Sequence, residues 1–394
     1  MADIEIYSMK WCPYCLKAKA LLQARDIPYR ETDITYDEDL QLEMVERTGR
    51  YNVPQIFVEG VLVGGYEELA HINSTGTLDR AVGRKPAKLK STYDVAVIGG
   101  GPAGLSAAMY TARKNLSTIV VTGDVGGQVG TTRDIANYPG FASIAGPELA
   151  ERMIAQSTPY DMRQLIGEYV TGLRLDGPRK VVELESGREV RARALIIASG
   201  VQKRYLGIAG EAEFDGRGVV YCSTCDGPQF KDKAIAVVGG GNSAVEAALE
   251  MNGIAHEVYL VSRGEVSADA VLKDHVATAK RVKHLRGYDA VAIDGEESVE
   301  SLTIRDRKRG KLRRLAVDGV FVEIGLEPNT DFALGFVAAN NRGELKVDAR
   351  GRTDVPGVFA AGDCTDVPDK QIVVAAGDGA KAALAAFEYL VAKQ

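Results

Sequence analysis

Several features that would settle a function at once are missing from this chain. Four histidines in 394 residues form no ligand-spaced cluster, so no histidine-built metal centre is expected. No apolar run approaches the ~20 residues that a membrane-spanning helix needs, so no membrane partner is expected. Charge of one sign is also absent. Lys and Arg number 48 against 54 Asp and Glu, a net −6, which offers no electrostatic footprint for nucleic acid or an anionic lipid surface. The opening MADIEIYS is acidic and alternates like a strand, unlike a signal peptide, and a cytoplasmic location is the expectation. A hydrophobic content of 45% and a charged content of 26% are ordinary for a globular protein long enough for two or three domains.

Cysteine is scarce too, but four of the five stand as spaced pairs: Cys12 with Cys15 in MKWCPYCLK, and Cys222 with Cys225 in YCSTCDG. In a reducing compartment such pairs mean metal or redox chemistry. A shared zinc is the alternative, disfavoured because the pairs are far apart and each has a context that explains it without metal. The fifth, Cys364, has no partner in sequence and is expected to be buried and inert.

The first pair follows a strand pattern, IEIYS, and precedes helical spacing in CLKAKALLQARD. Cys12 is thereby placed at a helix N-terminus, where free N–H groups and the helix dipole favour a thiolate; Lys10 and Lys17 add positive charge. Downstream, YNVPQIFVEGVLVGGYEEL reads as strand, turn, strand and an acidic helix start. On CPYC, NVPQIF and GGYEEL, residues 3–82 resemble a class I glutaredoxin. That resemblance implies a thioredoxin-like fold with Cys12 attacking and Cys15 resolving. It also implies a cis bond at Val53–Pro54 and a glutathione groove lined by Tyr14, Val53, Pro54, Gly65, Tyr66 and Glu67. Residues 83–92 (GRKPAKLKST) lack apolar periodicity and read as a solvated connector, the tether of a delivery arm.

From residue 93 the pattern changes. YDVAVIGGGPAGLSAAMYTARK is a buried strand, a glycine turn and a helix, with Gly99, Gly101 and Gly104 in G-x-G-x-x-G spacing around Pro102 and Ala103. KAIAVVGGGNSAVEAALEM repeats the pattern with Gly239, Gly241 and Ala244 around Asn242 and Ser243. Each is a strand–turn–helix built to bring backbone N–H groups to a pyrophosphate, so two dinucleotides are expected, a flavin and a nicotinamide.

With CSTCDG between those turns and GVFAAGDCTDVPDKQI near the end, residues 93–394 resemble the low-molecular-weight thioredoxin reductases. The likeness is strongest to their relative, the flavoprotein subunit of alkyl hydroperoxide reductase. The resemblance implies an α/β chain with two Rossmann-like folds, the FAD domain (93–206 and 328–394) split around a nicotinamide domain (207–327) that carries the dithiol. FAD would be held by the first glycine turn with Thr122, Gly123, Gly127, Gln128, Asn137, Gly362, Asp363, Gln371 and Ile372. Cys225 would face the flavin, Cys222 would exchange outward, and Asp226 would act as the acid. A homodimer is expected by the same likeness.

Cofactor choice departs from the family habit. Arg263 stands alone with Glu265 close by, where NADPH-preferring relatives carry an arginine cluster; a 2′-phosphate favours bidentate arginines, so NADH is favoured over NADPH. The run IRDRKRGKLRRL reads as a solvated hairpin turning at Arg309-Gly310. The expected path is NAD(P)H to FAD to Cys222/Cys225 to Cys12/Cys15, and on to glutathione disulfide or a protein disulfide of thioredoxin, glutaredoxin or peroxiredoxin. A dedicated peroxiredoxin reductase is the first alternative. A glutathione-dependent iron–sulfur carrier is the second, disfavoured by the paired cysteines of CPYC.

Overall fold

The computed structural model describes residues 3–10, 12–84, 89–132, 134–157, 160 and 162–393. Of the expected connector, residues 85–88 lie outside that set. The chain divides into two compact units: Met1–Val201 with Pro328–Gln394, and the continuous stretch Gln202–Glu327.

The first unit opens with a four-stranded sheet, in the order Arg30–Asp33, Ile4–Ser8, Gln55–Val58, Val61–Gly64. The first two strands are parallel and the other pairings antiparallel. Alternation in IEIYS sends Ile4 and Ile6 to one face and Tyr7 to the other. On the first face lie α1 (Pro13–Ala24), α3 (Tyr66–Ser74) and α4 (Thr77–Ala81), which bury Ala18, Leu21, Leu22, Leu69 and Leu78. On the other, α2 (Glu38–Thr48) covers Tyr7, Ile34 and Phe57 with Met44. Helix α2 starts on Asp37, whose carboxylate accepts the Leu40 N–H at 3.0 Å, and stops at Gly49 with φ 68°.

The same unit contains a larger sheet with parallel strands in the order Met162–Ile166, Thr118–Thr122, Tyr93–Ile98, Glu189–Ile197, joined by Val358–Ala360. Arg179–Leu184 and Val170–Asp176 extend it antiparallel. Near-continuous apolar strands such as TIVVT and YDVAVI fit a sheet covered on both faces. Helix α5 (Pro102–Arg113) follows the central strand and packs on the C-terminal helix (Ile372–Val391). The approach is close: a Cβ on Gly379 would lie 2.0 Å from the Ala103 carbonyl oxygen.

Residues 3–84 belong to the same compact unit as this larger sheet, and here the structure differs from the expectation of a tethered arm. Tyr66, Leu69 and Ala70 share one apolar cluster with Leu105, Val125, Ile154 and Ile166, Ile154 coming from α6 (Gly146–Ser157). The buried Asn73 side chain donates to the Ile166 carbonyl at 2.8 Å. Lys17 pairs with Asp124 at 2.7 Å, and Gln23 donates to Glu151 at 3.0 Å. Arg84, at the start of the connector, donates to the carbonyls of Arg25 and Asp26, both at 2.6 Å. The physical reason is that α1 and α3 carry apolar residues beyond those their own sheet needs. Burying each such side chain contributes ~1.5–3 kcal/mol, more than a connector's freedom offsets.

The second unit has a five-stranded parallel sheet, in the order Val219–Val220, Gly319–Val322, Ala234–Val238, Glu257–Ser262, Val282–Arg286. Within it Cys222 is the N-cap of α7 (Ser223–Asp226), which contains Cys225, and α8 (Asn242–Ile254) and α9 (Ala270–Thr278) follow. A three-stranded antiparallel sheet completes it. The basic run forms the hairpin between Val299–Asp306 and Leu312–Ala316, with Gly310 at φ 68° in the turn.

Candidate active site

Cys12 is the N-cap of α1, with Pro13 beginning the helix. Its Sγ accepts the Cys15 N–H at 3.3 Å, and its S–H reaches the Val53 carbonyl at 3.4 Å. A hydrogen bond from the Cys15 thiol holds the Cys12 thiol down at about 6. Burial opposes this, while the N–H groups of Cys15 and Tyr14 and the Lys19 charge assist it. Cys15 is fully buried, and its thiol is pushed up by that same hydrogen bond and by desolvation. The pair is therefore one nucleophile and one proton-holding partner. Lys19, not Lys17, supplies the charge: the helix turns Lys17 toward Asp124, and Lys10 pairs with Asp33 at 3.7 Å.

Around this dithiol the Val53–Pro54 bond is cis, Val53 is half-buried and Pro54 buried. Tyr14 is 52% exposed and Glu67 is exposed, while Gly65 is the N-cap of α3. Tyr66 stands apart from them. It is 3% exposed, and its hydroxyl donates to the Gly123 carbonyl at 2.9 Å.

At the first glycine turn, Gly99 (φ 111°) has its Cβ direction blocked by the Ala198 carbonyl at 2.1 Å. Gly104, beyond Pro102 and Ala103 in α5, is blocked by the Gly99 carbonyl at 2.0 Å. Gly101 is different: it is the helix N-cap, it has no side-chain cap bond, and nothing lies within 4 Å of its Cβ direction. An open cradle facing uncapped N–H groups is what a pyrophosphate needs, so these residues fit FAD. Thr122 ends its strand, Gly123 follows, and Gly127 and Gln128 form a short turn with the Gln128 amide on the Val201 carbonyl at 2.7 Å. Asn137 donates to Gln371 at 3.2 Å, just before Ile372 opens the C-terminal helix. Burial pushes the Asp363 carboxyl, next to Gly362, up to about 6 against the pull of Lys370. Cys364 is fully buried against the carbonyls of Ile197 and Ala361.

In the second unit Cys222 and Cys225 form a disulfide at the start of α7, with the Cys222 Sγ accepting the Cys225 N–H at 3.1 Å. Cys225 is exposed and Cys222 half-buried. Asp226 is raised, first by burial, against the lowering effect of Lys203. Three groups that the sequence motifs do not single out crowd this turn. The Ser223 hydroxyl donates to Glu250 at 2.7 Å, and the Ser223 N–H faces Glu323. Burial, with Glu250 and Glu246 nearby, pushes Glu323 up to about 7. Its signal was in the sequence: a lone acid in the apolar run GVFVEIG.

The second glycine turn repeats the first. Gly239 is blocked by the Glu323 carbonyl at 2.1 Å, Ala244 is buried behind it, and Gly241 is an N-cap with nothing within 4 Å. Ser243 lies in the first turn of α8, and Asn242 is held by Asp269 through a 2.9 Å hydrogen bond. Arg263, 79% exposed at its side chain, is paired with Asp289 at 3.0 Å, and Glu265 is paired with Arg286.

Both parts of the chain have counterparts among known proteins. Residues 93–379 match the family described as pyridine nucleotide-disulphide oxidoreductase, and residues 4–63 match glutaredoxin. The chain belongs to the pyridine nucleotide-disulphide oxidoreductases. A Pseudomonas putida protein named as a subunit of alkyl hydroperoxide reductase is 40% identical over 392 residues, 96% of this chain and 74% of that protein. Its Escherichia coli K12 counterpart is 38% identical over 389 residues, again 96% and 74%. Thioredoxin reductase from Streptococcus pyogenes superposes with a TM-score of 0.73 at 36% identity, covering 77% of this chain and 99% of that one. The Giardia duodenalis enzyme gives 0.74 at 35%, covering 77% and 100%. As an oxidoreductase of this family the chain binds FAD and a pyridine nucleotide, and its N-terminal part is a glutaredoxin-type domain. Among the described residues no helix is long and apolar enough to cross a membrane.

Proposed function

We propose that this chain is an NADH-dependent reductase of protein disulfides, of the kind that serves a peroxiredoxin. Electrons leave it through Cys222/Cys225 and then Cys12/Cys15. The relatives named for alkyl hydroperoxide reductase, similar along nearly the whole chain, support the enzyme class. The observation that favours a protein acceptor is Tyr66. In the glutathione reading it lines the groove, yet its hydroxyl is engaged by Gly123 and its ring is buried. A bulky protein disulfide needs only the exposed side of Cys12 and the backbone edge at Val53. Glutathione disulfide is therefore a poor acceptor.

FAD, when bound, supplies a two-electron relay between nicotinamide and a dithiol. In our reading Gly99 to Gly104, Thr122, Gly123, Gly127, Gln128, Asn137, Gly362, Asp363, Gln371 and Ile372 hold it, and Gly239 to Ala244 hold the nicotinamide nucleotide. Asp226, with its raised pKa, carries the proton for the Cys225 thiolate. Cys222 exchanges outward: its thiolate attacks the Cys12–Cys15 disulfide, a mixed disulfide forms, Cys225 resolves it, and the Cys12–Cys15 pair is left reduced. Arg263, paired to Asp289 and beside Glu265, gives a 2′-phosphate no bidentate host, which favours NADH.

The test is NADH oxidation with an oxidised peroxiredoxin, thioredoxin or glutathione disulfide offered separately. The peroxiredoxin should be turned over fastest, and glutathione disulfide turned over equally fast would overturn the reading. A Cys15→Ser, Cys225→Ser chain should accumulate a Cys222–Cys12 mixed disulfide, identified by peptide mass.

A further inference from the structure

The loop from Gly123 to Gln128 is gripped from two sides. On its inner side the Gly126 N–H donates to the Gly100 carbonyl at 2.8 Å, and Gly127 lies against Gly101, the Cα there standing 3.3 Å from its Cβ direction. On its outer side the Gly123 carbonyl accepts the Gly167 N–H at 3.2 Å, and the glutaredoxin-type domain adds two polar contacts. Tyr66 donates to the Gly123 carbonyl at 2.9 Å, and Lys17 pairs with Asp124 at 2.7 Å. The Lys17 ammonium lies 5.8 Å from the Tyr66 ring centroid, and Val125, 5% exposed, enters the cluster built by α1 and α3. Left alone, GDVGG is a poor candidate for order. Three of its five residues are glycine, and Gly126 and Gly127 sit at φ 92° and 55°.

We infer that Lys17 and Tyr66 are flavin-positioning residues: by pinning Gly123 and Asp124 they hold this loop in the shape that retains FAD. The glutaredoxin-type domain is thus part of the flavin site's support as well as a carrier of electrons. This rests on reading residues 123–128 as a flavin loop. Linkage makes the effect reciprocal: whatever factor docking adds to FAD affinity, FAD adds to docking. A chain that has lost its flavin holds its N-terminal dithiol less firmly.

The experiment measures the rate at which free-flavin fluorescence appears after the holoprotein is diluted. Tyr66→Phe and Lys17→Gln should each speed release by roughly three- to tenfold, the range expected for one lost hydrogen bond or partly buried ion pair. Lys17→Arg should restore the slow rate. Met44→Ala, which weakens the same domain on its far face, should lower its melting temperature without touching release. Stripping the flavin should raise hydrogen exchange across residues 66–74, and FAD added back should reverse it. Wild-type release in Tyr66→Phe and Lys17→Gln, with Gln128→Ala releasing quickly, would overturn the inference alone. If Gln128→Ala is silent as well, the flavin-loop reading fails and the inference with it.

Discussion

The two dithiols share one geometry and live in opposite surroundings. Each begins a helix, and in each the first sulfur accepts the second cysteine's N–H, at 3.3 Å in the N-terminal pair and 3.1 Å in the other. Beside Cys12 the charged group is Lys19, and the thiol sits at about 6. Beside Cys222 the charged groups are Glu250 and Glu323, aimed at the same Ser223 donors that would steady a thiolate. A stabilised thiolate favours the reduced form and makes a couple more oxidising; a disfavoured thiolate makes it more reducing. In the proposed sequence of transfers, electrons would run downhill from the acidic site to the basic one. The helix N-terminus is common to both cysteine pairs, and the neighbouring charges are what would give the proposed transfer its direction.

Four measurements break or sharpen this contrast. The largest effect is expected from Cys12→Ser, which should cut delivery to a protein disulfide by on the order of 10³-fold or more, followed as acceptor-dependent NADH oxidation. Reduction of Cys222/Cys225 should survive, and its loss would mean that the two pairs do not act in series. Next, Cys12 should alkylate with a midpoint near pH 6. A depressed pKa keeps the thiolate above the midpoint, so the rate should be flat at pH 7–8 and fall tenfold per unit below pH 6. At pH 6 it should exceed an ordinary thiol, with a pKa near 8.5, by on the order of 100-fold. A midpoint near 8.5 would erase the contrast.

Third, kcat/KM should favour NADH over NADPH by about tenfold, ~1.4 kcal/mol; a preference for NADPH would show that a phosphate host exists away from Arg263. The smallest effect belongs to Glu323→Gln. Glu323 is neutral below about 7 and charged above it. At pH 8 its replacement should make the Cys222/Cys225 couple more oxidising by ~20 mV, about fivefold in equilibrium constant, read by thiol trapping in redox buffers. At pH 5.5 the change should vanish. An equal change at both pH values would point to packing in place of charge.

Much of the site was legible in the residues themselves. The strand pattern before Cys12 and the helical spacing after it place Cys12 at the start of α1, and Gly99, Gly101 and Gly104 stand in the strand–turn–helix their spacing predicts, two of them blocked by backbone and the third open. The cis bond at Val53–Pro54 was expected from motif resemblance. Less legible were the neighbours. Lys17 was expected to serve Cys12 but serves Asp124, and Tyr66 was expected in a groove but lies in an interface. The connector's basic, non-periodic composition suggested a tethered arm, because composition reports on the connector and says nothing of the apolar surface on α1 and α3.

What the sequence determined by itself is therefore local: where helices begin, which glycines must be glycines, and which cysteines share a turn. Those choices depend on backbone dihedrals and on donors within about four residues, so a short window contains all the causes. Tertiary structure alone decided which charge faces which sulfur, that the glutaredoxin-type domain is docked, and that Tyr66 closes on Gly123 across 57 residues of chain. Such pairings follow from how sheets and helices stack, and many side chains of the same type compete for them. Periodicity shows that α3 has an apolar face, but only packing shows what that face covers.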